Sequence, residues 1–335
     1  MPDQGASGTV ISRSDALRVR RFLGGAGIYV VVLLLLLIGS LVSRDFLTSG
    51  NLLNIVRPVT LLGIVAVGLM FVTQSGHYVD LSIPATMALS GMVAVSTLGL
   101  GIAGSVVCGL GAGLLVGLIN GLLIGYLRLN PIIWTLAMNF MLDGLLRWST
   151  GGNQVYPDYT TGAGDVFVQL SRFETAGVPG ITLLLAGLAG VAHLLARCTC
   201  FGDQLQLTGS AYEVAATSGV AVRRVVMLSF LISAFTTATA GILLASLSKQ
   251  GTFTNGQGYD FNAVTAVVIG GVALTGGVGT VFGVVGGVLV MGLLGNIMTL
   301  AGWGSFDQMM AKGLLFVVVV AAMACATRRG GREDE

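Results

Sequence analysis

Charged residues are scarce in this sequence. Only 10% of its 335 residues are Asp, Glu, Lys or Arg, whereas 54% are hydrophobic, and the mean hydropathy is +0.89. In soluble proteins about a quarter of the residues are charged, so this composition excludes an ordinary soluble domain. Glycine is abundant instead, with 51 residues, and small residues allow transmembrane helices to pack closely. The sequence therefore predicts a polytopic membrane protein.

Cysteine and histidine are scarce as well. The four cysteines form no CxxC pair, which argues against a metal site or a disulfide framework. The two histidines, His77 and His193, are far apart in the sequence, so no cluster of catalytic residues points to an enzyme. A GxxxxGK[ST] phosphate loop is missing, which excludes ATP hydrolysis by this chain. The net charge of +2, with basic residues that are not interleaved with aromatics, gives no sign of nucleic-acid binding.

Apolar segments recur along the chain, each close to the length that an α-helix needs to cross a bilayer. They lie at residues 24–43, 55–74, 81–99, 102–126, 131–150, 179–196, 222–247, 262–276, 279–300 and 306–326. An even number of spans places both termini on the same side of the membrane. If that side is the cytoplasm, eleven basic residues lie on the cytoplasmic side and five on the outside, which is the distribution expected of membrane proteins. The predicted fold is an all-α polytopic membrane protein with about ten transmembrane helices.

These spans define a single transmembrane domain, residues 24–326. A cytoplasmic segment precedes it (1–23) and a cytoplasmic tail follows it (327–335). The first span is predicted to be a retained helix, because no small-residue cleavage site follows it. The longest predicted cytoplasmic loop is 197–222, and the longest predicted outside loop is 151–179.

Two similar stretches predict an internal repeat. DLSIPATMALSG begins at Asp80 and DFNAVTAVVIGG at Asp260, and each has an acid, an apolar residue and a small polar residue before an apolar run. In the predicted orientation the two copies cross the membrane in opposite directions. This is typical of transporters with inverted-topology repeats and broken helices near the midplane. The predicted halves are residues 55–150 and 222–326.

Asp80 and Asp260 each stand near the start of a predicted helix. There the helix dipole and the free N–H groups favour a carboxylate or hydroxyl cap, and Ser82 is a second candidate for this role. Capping is favoured over direct contact with a solute. The two roles are compatible, since broken helices at membrane depth are either buried in protein or line a cavity.

A short amphipathic helix is predicted within the cytoplasmic loop. Residues 212–218 would form two turns, with Gly219 as the C-cap, just before Arg223 and Arg224. Such a helix either only connects two spans or serves as a docking element for a partner protein.

The same loop resembles a motif of one transporter family. The pattern approximates G-N-x-E-A-A-x-x-S-G-(I/V)-x-V-R-R and is found in permease subunits of bacterial ABC importers for ribose-type monosaccharides and related polyols, within the branched-chain amino acid/sugar permease superfamily. Similar segments extend along nearly the whole chain. The matches are Glu213, Ala215, Ser218, Gly219, Val220, Val222, Arg223 and Arg224 in the loop, and residues 46–54, 80–82, 131–136, 151–152, 258–263, 270–279, 305–306 and 312–313 elsewhere.

The resemblance implies an assembly in the bacterial cytoplasmic (inner) membrane. The permease would pair with a second copy of itself or a close paralogue, with two cytoplasmic ATPase subunits and with a periplasmic substrate-binding protein. No cofactor is expected in this chain, because ATP and Mg would bind the partner ATPase. Loop 197–222 would contact that ATPase, and loop 151–179 is a candidate docking surface for the binding protein. The residues implied in ATPase coupling are Tyr212, Glu213, Ala215, Ala216, Ser218 and Gly219.

The leading hypothesis is ATP-driven import of a sugar or a similar polyhydroxylated solute. Such a solute suits a pathway lined by hydroxyl and amide side chains, although these also serve hydrogen bonding between helices. The candidate residues of the translocation pathway and the broken helices are Asp80, Ser82, Thr86, Thr135, Asn139, Asp260 and Asn262. The alternative is an ion- or proton-coupled secondary transporter of a small polar solute, with His77, Asp80 and Asp143 as a titrating relay.

The chain departs from the family pattern at a few positions. His77, Tyr78 and Pro84 differ in the segment before the third span, and Asp143 stands where the family usually has Arg. Asp143 and Arg147 are spaced i, i+4 on a predicted helix. A structural ion pair is favoured over a substrate contact for these two residues.

Overall fold

The computed structural model describes residues 13–77, 79–160, 162–175 and 177–332, and these residues are mostly α-helical. The helices of this part of the chain are α1 (Arg13–Val42), α2 (Ser49–Gln74), α3 (Ile83–Ser96), α4 (Gly101–Leu127), α5 (Pro131–Ser149), α6 (Ala163–Leu170), α7 (Gly180–Cys198), α8 (Cys200–Ser210), α9 (Tyr212–Thr217), α10 (Val222–Ser248), α11 (Tyr259–Ile269), α12 (Val281–Leu300) and α13 (Ser305–Arg332). A 3₁₀ turn, Leu98–Leu100, lies between α3 and α4. Strands β1 (Glu174–Thr175) and β2 (Val178–Pro179) pair antiparallel before α7.

The described residues contain five helical segments that are long and apolar enough to cross a membrane. These segments are α2, the 3₁₀ turn continued by α4, α7, α10 and α12. Three apolar helices are shorter, namely residues 27–42 of α1, α3 and α11. The predicted class, an all-α membrane protein, is confirmed, whereas the number of ten spans stays a prediction.

Several element boundaries differ from the predicted spans. Helix α1 begins at Arg13, within the predicted cytoplasmic segment 1–23, and α13 continues to Arg332, past the predicted end of the last span at residue 326. Residues 1–12 and 333–335, which make up the rest of the predicted terminal segments, lie outside the described residues, as does Tyr78.

The predicted span 262–276 is helical over a shorter stretch. Helix α11 ends at Ile269, because the glycines that follow leave the right-handed helical region: Gly271 has φ +82° and Gly276 has φ +94°. Glycine adopts these angles at no steric cost. The sequence interpretation counted this apolar, glycine-rich loop as part of a membrane span, and that boundary was wrong.

Two helices occur where only loops were expected. Residues 200–210 of the predicted cytoplasmic loop form α8, which begins where the Thr199 hydroxyl accepts a hydrogen bond from the Gly202 N–H. A threonine at this position is a favourable N-cap. Helix α6 lies in the predicted outside loop, where its end is tied to α10 because Ser246 Oγ donates to the Phe167 carbonyl at 2.6 Å.

Helix α10 is the centre of the bundle and packs against α2, α3 and α4. Close approach depends on glycine: a Cβ at Gly91 of α3 would lie 2.8 Å from the carbonyl oxygen of Gly241 in α10. Small residues at such crossings let backbones meet without a hydrophobic driving force.

The packing partners of the two predicted halves correspond. Helix α2 contacts α11 and α12, and α10, which has the equivalent place in the second half, contacts α3 and α4. Helix α3 packs on α4 and α5, as α11 packs on α12 and α13.

Candidate functional site

The segment between α2 and α3 interrupts the helical backbone inside the bundle. After Gln74 the chain turns at Gly76, which has φ +82°, and becomes helical again only at Ile83. His77 Nδ1 lies 2.9 Å from the Ser75 carbonyl oxygen and 3.0 Å from Ser75 Oγ. This break leaves the first N–H groups of α3 in need of partners.

Asp80 and Ser82 begin a buried hydrogen-bond network at this break. Asp80 is only 4% exposed, and its Oδ1 accepts from the Ser82 N–H at 2.9 Å and from the Ser82 hydroxyl at 2.6 Å. Ser82 Oγ in turn accepts from Asn120 Nδ2 of α4 at 2.9 Å. The Trp134 Nε1–H of α5 donates to Asn120 Oδ1, also at 2.9 Å. The network therefore joins α3, α4 and α5 through side chains.

Helix α5 provides the other caps of α3. Thr135 Oγ1 accepts from the Leu81 N–H at 3.0 Å, and Asn139 Oδ1 accepts from the Ala85 N–H at 3.1 Å. Thr86 closes the set, since its hydroxyl donates to the Ser82 carbonyl at 2.9 Å. Side chains from a neighbouring helix thus satisfy N–H groups that water would satisfy at an exposed helix end.

Five of the predicted pathway residues therefore meet in one place, on α5 and at the start of α3. The sequence interpretation missed two members of the network, Asn120 and Trp134. A signal for Asn120 was present, since a lone amide in an apolar, glycine-rich span is a costly residue that demands a partner. Nothing in the sequence paired it with Trp134.

Asp260 and Asn262 lie at the start of α11, and Asn262 lines a cavity between α2, α11, α12 and α13. We call it the amide cavity. Its volume is about 490 Å³, within the range of small-molecule sites. Its polar lining residues are Asn51, Asn54, Tyr259, Asn262, Asn296, Thr299, Gln308 and Lys312. Asn51 and Asn296 pair reciprocally through their amides, at 3.0 and 2.8 Å.

A second cavity, of about 540 Å³, lies beyond the other end of α2. We call it the histidine cavity. Gly76 and His77 line it together with Arg128, Tyr212 and Glu213. Helix α2 has 26 residues, so the two cavities lie near the two ends of a helix about 39 Å long.

Helix α9 borders the histidine cavity and occupies the predicted position of the cytoplasmic helix. It ends at Thr217, one residue before the predicted end, and Gly219 has φ +81° as expected for a C-cap. Ala215 is fully buried and packs on the bundle. The remaining predicted coupling residues are exposed or half-buried: Tyr212, Glu213, Ala216, Ser218 and Gly219.

Four glycines bring α8 against both interrupted segments, and we call this contact the glycine junction. A Cβ at Gly276 would lie 2.7 Å from the Gly76 Cα and 2.8 Å from the Gly209 carbonyl oxygen. The Gly277 N–H donates to the Gln74 carbonyl at 2.9 Å. Gly209 packs directly on this hydrogen bond. The junction therefore connects the segment after α2, the segment after α11 and the helix that leads into α9.

Asp143 and Arg147 form the predicted ion pair on α5. Arg147 Nε lies 2.8 Å from Asp143 Oδ2, and both side chains are partly exposed. The guanidinium also stacks over the Phe253 ring, 4.0 Å from its centroid. Because each charge has its partner one helix turn away, the geometry supports a structural ion pair rather than a contact with the substrate.

The predicted outside loop is held against the bundle. Arg57 of α2 pairs with Glu174 at 3.1 Å, and Val155 forms a β-bridge with Gly251. At the exposed Asp158, hydrogen bonds from the N–H and the hydroxyl of Thr160 lower the pKa of the carboxyl group below its usual value.

Comparisons with known proteins show which family the sequence resembles. Residues 51–323 match the family model described as branched-chain amino acid transport system / permease component. The chain is 30% identical to a ribose import permease protein of Haemophilus influenzae, over 93% of this chain and 96% of the relative. It is 33% identical to the same-named protein of Bacillus subtilis, over 88% and 91%. An L-arabinose ABC transporter permease protein of Azospirillum brasilense is 35% identical, over 90% and 88%.

No solved structure matches the chain. The family model nevertheless covers most of its length and includes every residue that lines the two cavities. The chain belongs to the family of branched-chain amino acid transport system permease components.

Proposed function

We propose that this chain is the transmembrane permease subunit of an ATP-driven ABC importer for a sugar or a similar small polyhydroxylated solute. The observation that carries the proposal is the similarity, over about nine-tenths of the chain, to permeases named for ribose and arabinose import. The chain is a permease component rather than an enzyme, and the proposed location is the bacterial inner membrane with both termini in the cytoplasm.

Alternating access between two inverted repeats is the proposed mechanism. The corresponding packing partners of α2 and α10 support the repeat. The amide cavity and the histidine cavity lie near opposite ends of α2, so each suits one side of the membrane. In the proposed orientation the amide cavity faces outward and the histidine cavity faces the cytoplasm.

Helix α9 is the proposed contact with the ATPase. Glu213 and Val214 are exposed, with Val214 52% accessible, while Ala215 anchors the helix to the bundle. ATP and Mg would bind the ATPase subunits, and the conformational change would reach the membrane helices through the glycine junction.

The other partners follow from the assembly type. A second permease subunit, identical or related, would complete the pathway, and a periplasmic binding protein would deliver the solute. The outside loop 151–179 suits the latter role, because it is held in place by Arg57 and Ser246 and exposes Tyr156 and Phe173 by 65% and 64%.

The predicted pathway residues divide into two groups in this proposal. Asp80, Ser82, Thr86, Thr135 and Asn139 shape the broken helix beside the pathway, because their polar atoms bond to one another and to the start of α3. Asp260 and Asn262 belong to the outward end, where Asn262 reaches the amide cavity.

Reconstitution in liposomes with the ATPase and the binding protein tests the function. We expect uptake of a radiolabelled pentose that requires ATP, and Glu213→Arg should lower it by about tenfold, as expected when a docking contact worth ~1.4 kcal/mol is lost. The matched control is Asp203→Arg, a charge reversal at an exposed position of α8 in the same loop.

Uptake by the permease alone, driven by an imposed proton gradient, would instead establish the secondary transporter. That mechanism needs a relay among His77, Asp80 and Asp143. In the structure each of these side chains bonds to a different neighbour, namely Ser75, Ser82 and Arg147.

A further inference from the structure

The amide cavity contains polar groups that have no partner within the described part of the chain. Asn51 and Asn296 satisfy each other, and Gln308 donates to Thr299 and to the Trp303 carbonyl. By contrast, the Tyr259 hydroxyl, the Asn262 side-chain amide and the Lys312 ammonium are half-buried, and no described residue bonds to them. They come from α11 and α13, two helices that contact each other.

Lys312 is the most informative of the three. It is one of only two lysines in the sequence and lies two turns into α13. Its Nζ lies beside Gly295 of α12: a Cβ at that glycine would be 3.8 Å from the nitrogen. A half-buried charge in a membrane protein is expensive unless it meets water, an opposite charge or strong acceptors. No acidic side chain lines the cavity among the described residues.

The apolar part of the lining has a different character. Ile55, Val59 and Leu62 of α2 and Met291 of α12 provide this part, whereas the free polar groups belong to α11 and α13. A site with an apolar wall and a few convergent polar groups is the usual form of a small-molecule site. A monosaccharide presents the complementary surfaces, a face of C–H groups and a rim of hydroxyl oxygens.

We propose that the amide cavity is a binding site for the transported solute on the permease itself, with neutral vicinal hydroxyls as the recognised chemistry. Lys312 donates to hydroxyl or ring oxygens, Asn262 both donates and accepts, and Tyr259 exchanges one hydroxyl hydrogen bond. The proposal rests on the proposed function for the class of solute. It adds the place at which a solute leaving the binding protein is first held by the membrane helices.

Protection of Lys312 from acylation tests the site. The purified full-length permease in lipid nanodiscs is treated with a water-soluble N-hydroxysuccinimide acetate, and the two lysines are quantified by mass spectrometry. Exposed Lys249 provides an internal control on the same molecule. We expect millimolar D-ribose or L-arabinose to slow the acetylation of Lys312 several-fold and to leave Lys249 unchanged. Asn262→Ala should abolish most of the protection, whereas Asn153→Ala, which alters an exposed amide outside the cavity, should preserve it.

Two results overturn the site. One is a Lys312 that does not react without sugar, which means that water does not reach the cavity. The other is a Lys312 that reacts equally fast with and without pentoses, whether or not propionate, a carboxylate without hydroxyls, protects it. The experiment needs neither ATPase nor binding protein, so it is independent of the test of ATP-driven import. If pentoses protect Lys312 but ATP-driven uptake is not observed, the site is supported and the proposed function is rejected. If uptake is observed without protection, the function is supported and the site is rejected.

Discussion

Gly209 of α8 is the position where a single added methyl group should separate ATP hydrolysis from transport. A Cβ at this residue would collide with the Gln74 carbonyl oxygen and lie 2.5 Å from the Gly277 nitrogen. These two atoms form the hydrogen bond that joins the segment after α2 to the segment after α11. Gly209→Ala therefore inserts a methyl group at the glycine junction.

The size of the effect follows from the distances. To restore an ordinary contact of 3.4 Å, the Gly277 nitrogen must move from 2.5 Å, a shift of about 0.9 Å. All the nearest atoms are backbone, so no side-chain rotation relieves the contact. Overpacking of this kind costs about 1–3 kcal/mol. If this cost falls on one of two transport conformations, their equilibrium shifts by about 5- to 150-fold.

The assay compares ATP hydrolysis and uptake in the same proteoliposomes. We expect Gly209→Ala to retain ATPase binding and hydrolysis while uptake per ATP falls by about tenfold, a difference of ~1.4 kcal/mol. The matched control is Gly190→Ala in α7, because a Cβ at Gly190 has nothing within 4 Å. Normal uptake by Gly209→Ala, with a thermal transition equal to that of the wild type, would refute the role assigned to the junction.

Three other substitutions probe the packing and the polar networks. Trp134→Phe removes the hydrogen-bond donor to Asn120, which is 1% exposed, so the free energy of unfolding should fall by about 1–3 kcal/mol. The control Trp148→Phe, at an 80% exposed position, should leave the midpoint of thermal denaturation in detergent unchanged. Equal midpoints for the two variants would contradict the network. Gly91→Ala should destabilise the protein by about 1–3 kcal/mol through overpacking, because its Cβ would lie 2.8 Å from the Gly241 carbonyl oxygen. The control is Gly111→Ala, whose Cβ would have nothing within 4 Å. If calorimetry finds Gly111→Ala to be the less stable variant, the close crossing of α3 and α10 is rejected. Arg147→Ala should change stability by no more than about 1 kcal/mol, since its ion pair with Asp143 is partly exposed; complete loss of pentose uptake at unchanged stability would identify the pair as part of the transport path.

The sequence predicted the positions of most helices because apolar length and glycine or proline breaks are local properties. An α-helix in the structure corresponds to each predicted apolar segment, and α9 ends within one residue of the end predicted for it. The failures are local as well. Residues 270–276 are apolar enough to pass for the end of a membrane span, yet Gly271 and Gly276 have φ angles that a right-handed helix does not use.

The candidate site was less predictable, because its parts meet only after folding. Asp80 and Asp260 are equivalent in the predicted repeat, but Asp80 is 4% exposed and hydrogen-bonded to Ser82, whereas Asp260 is half-buried at the start of α11. A repeat in the sequence aligns positions and says nothing of the neighbours that each copy acquires. The link from Asn120 to Trp134 crosses from α4 to α5, and the free Lys312 is recognisable only once the lining of the amide cavity is known.

The short helix α9 has a side that anchors it to the bundle and an exposed side that is free of this constraint. Six residues are too few to form a stable helix in water, so the buried Ala215 and the Tyr212 ring, with Arg128 5.6 Å away, hold it in shape. Its outer side, with Glu213 and Val214, contributes nothing to that anchorage. Under the ATPase contact proposed for α9, a descendant of this permease can therefore acquire a different ATPase partner by substitutions on the outer side alone, while the membrane bundle stays unchanged.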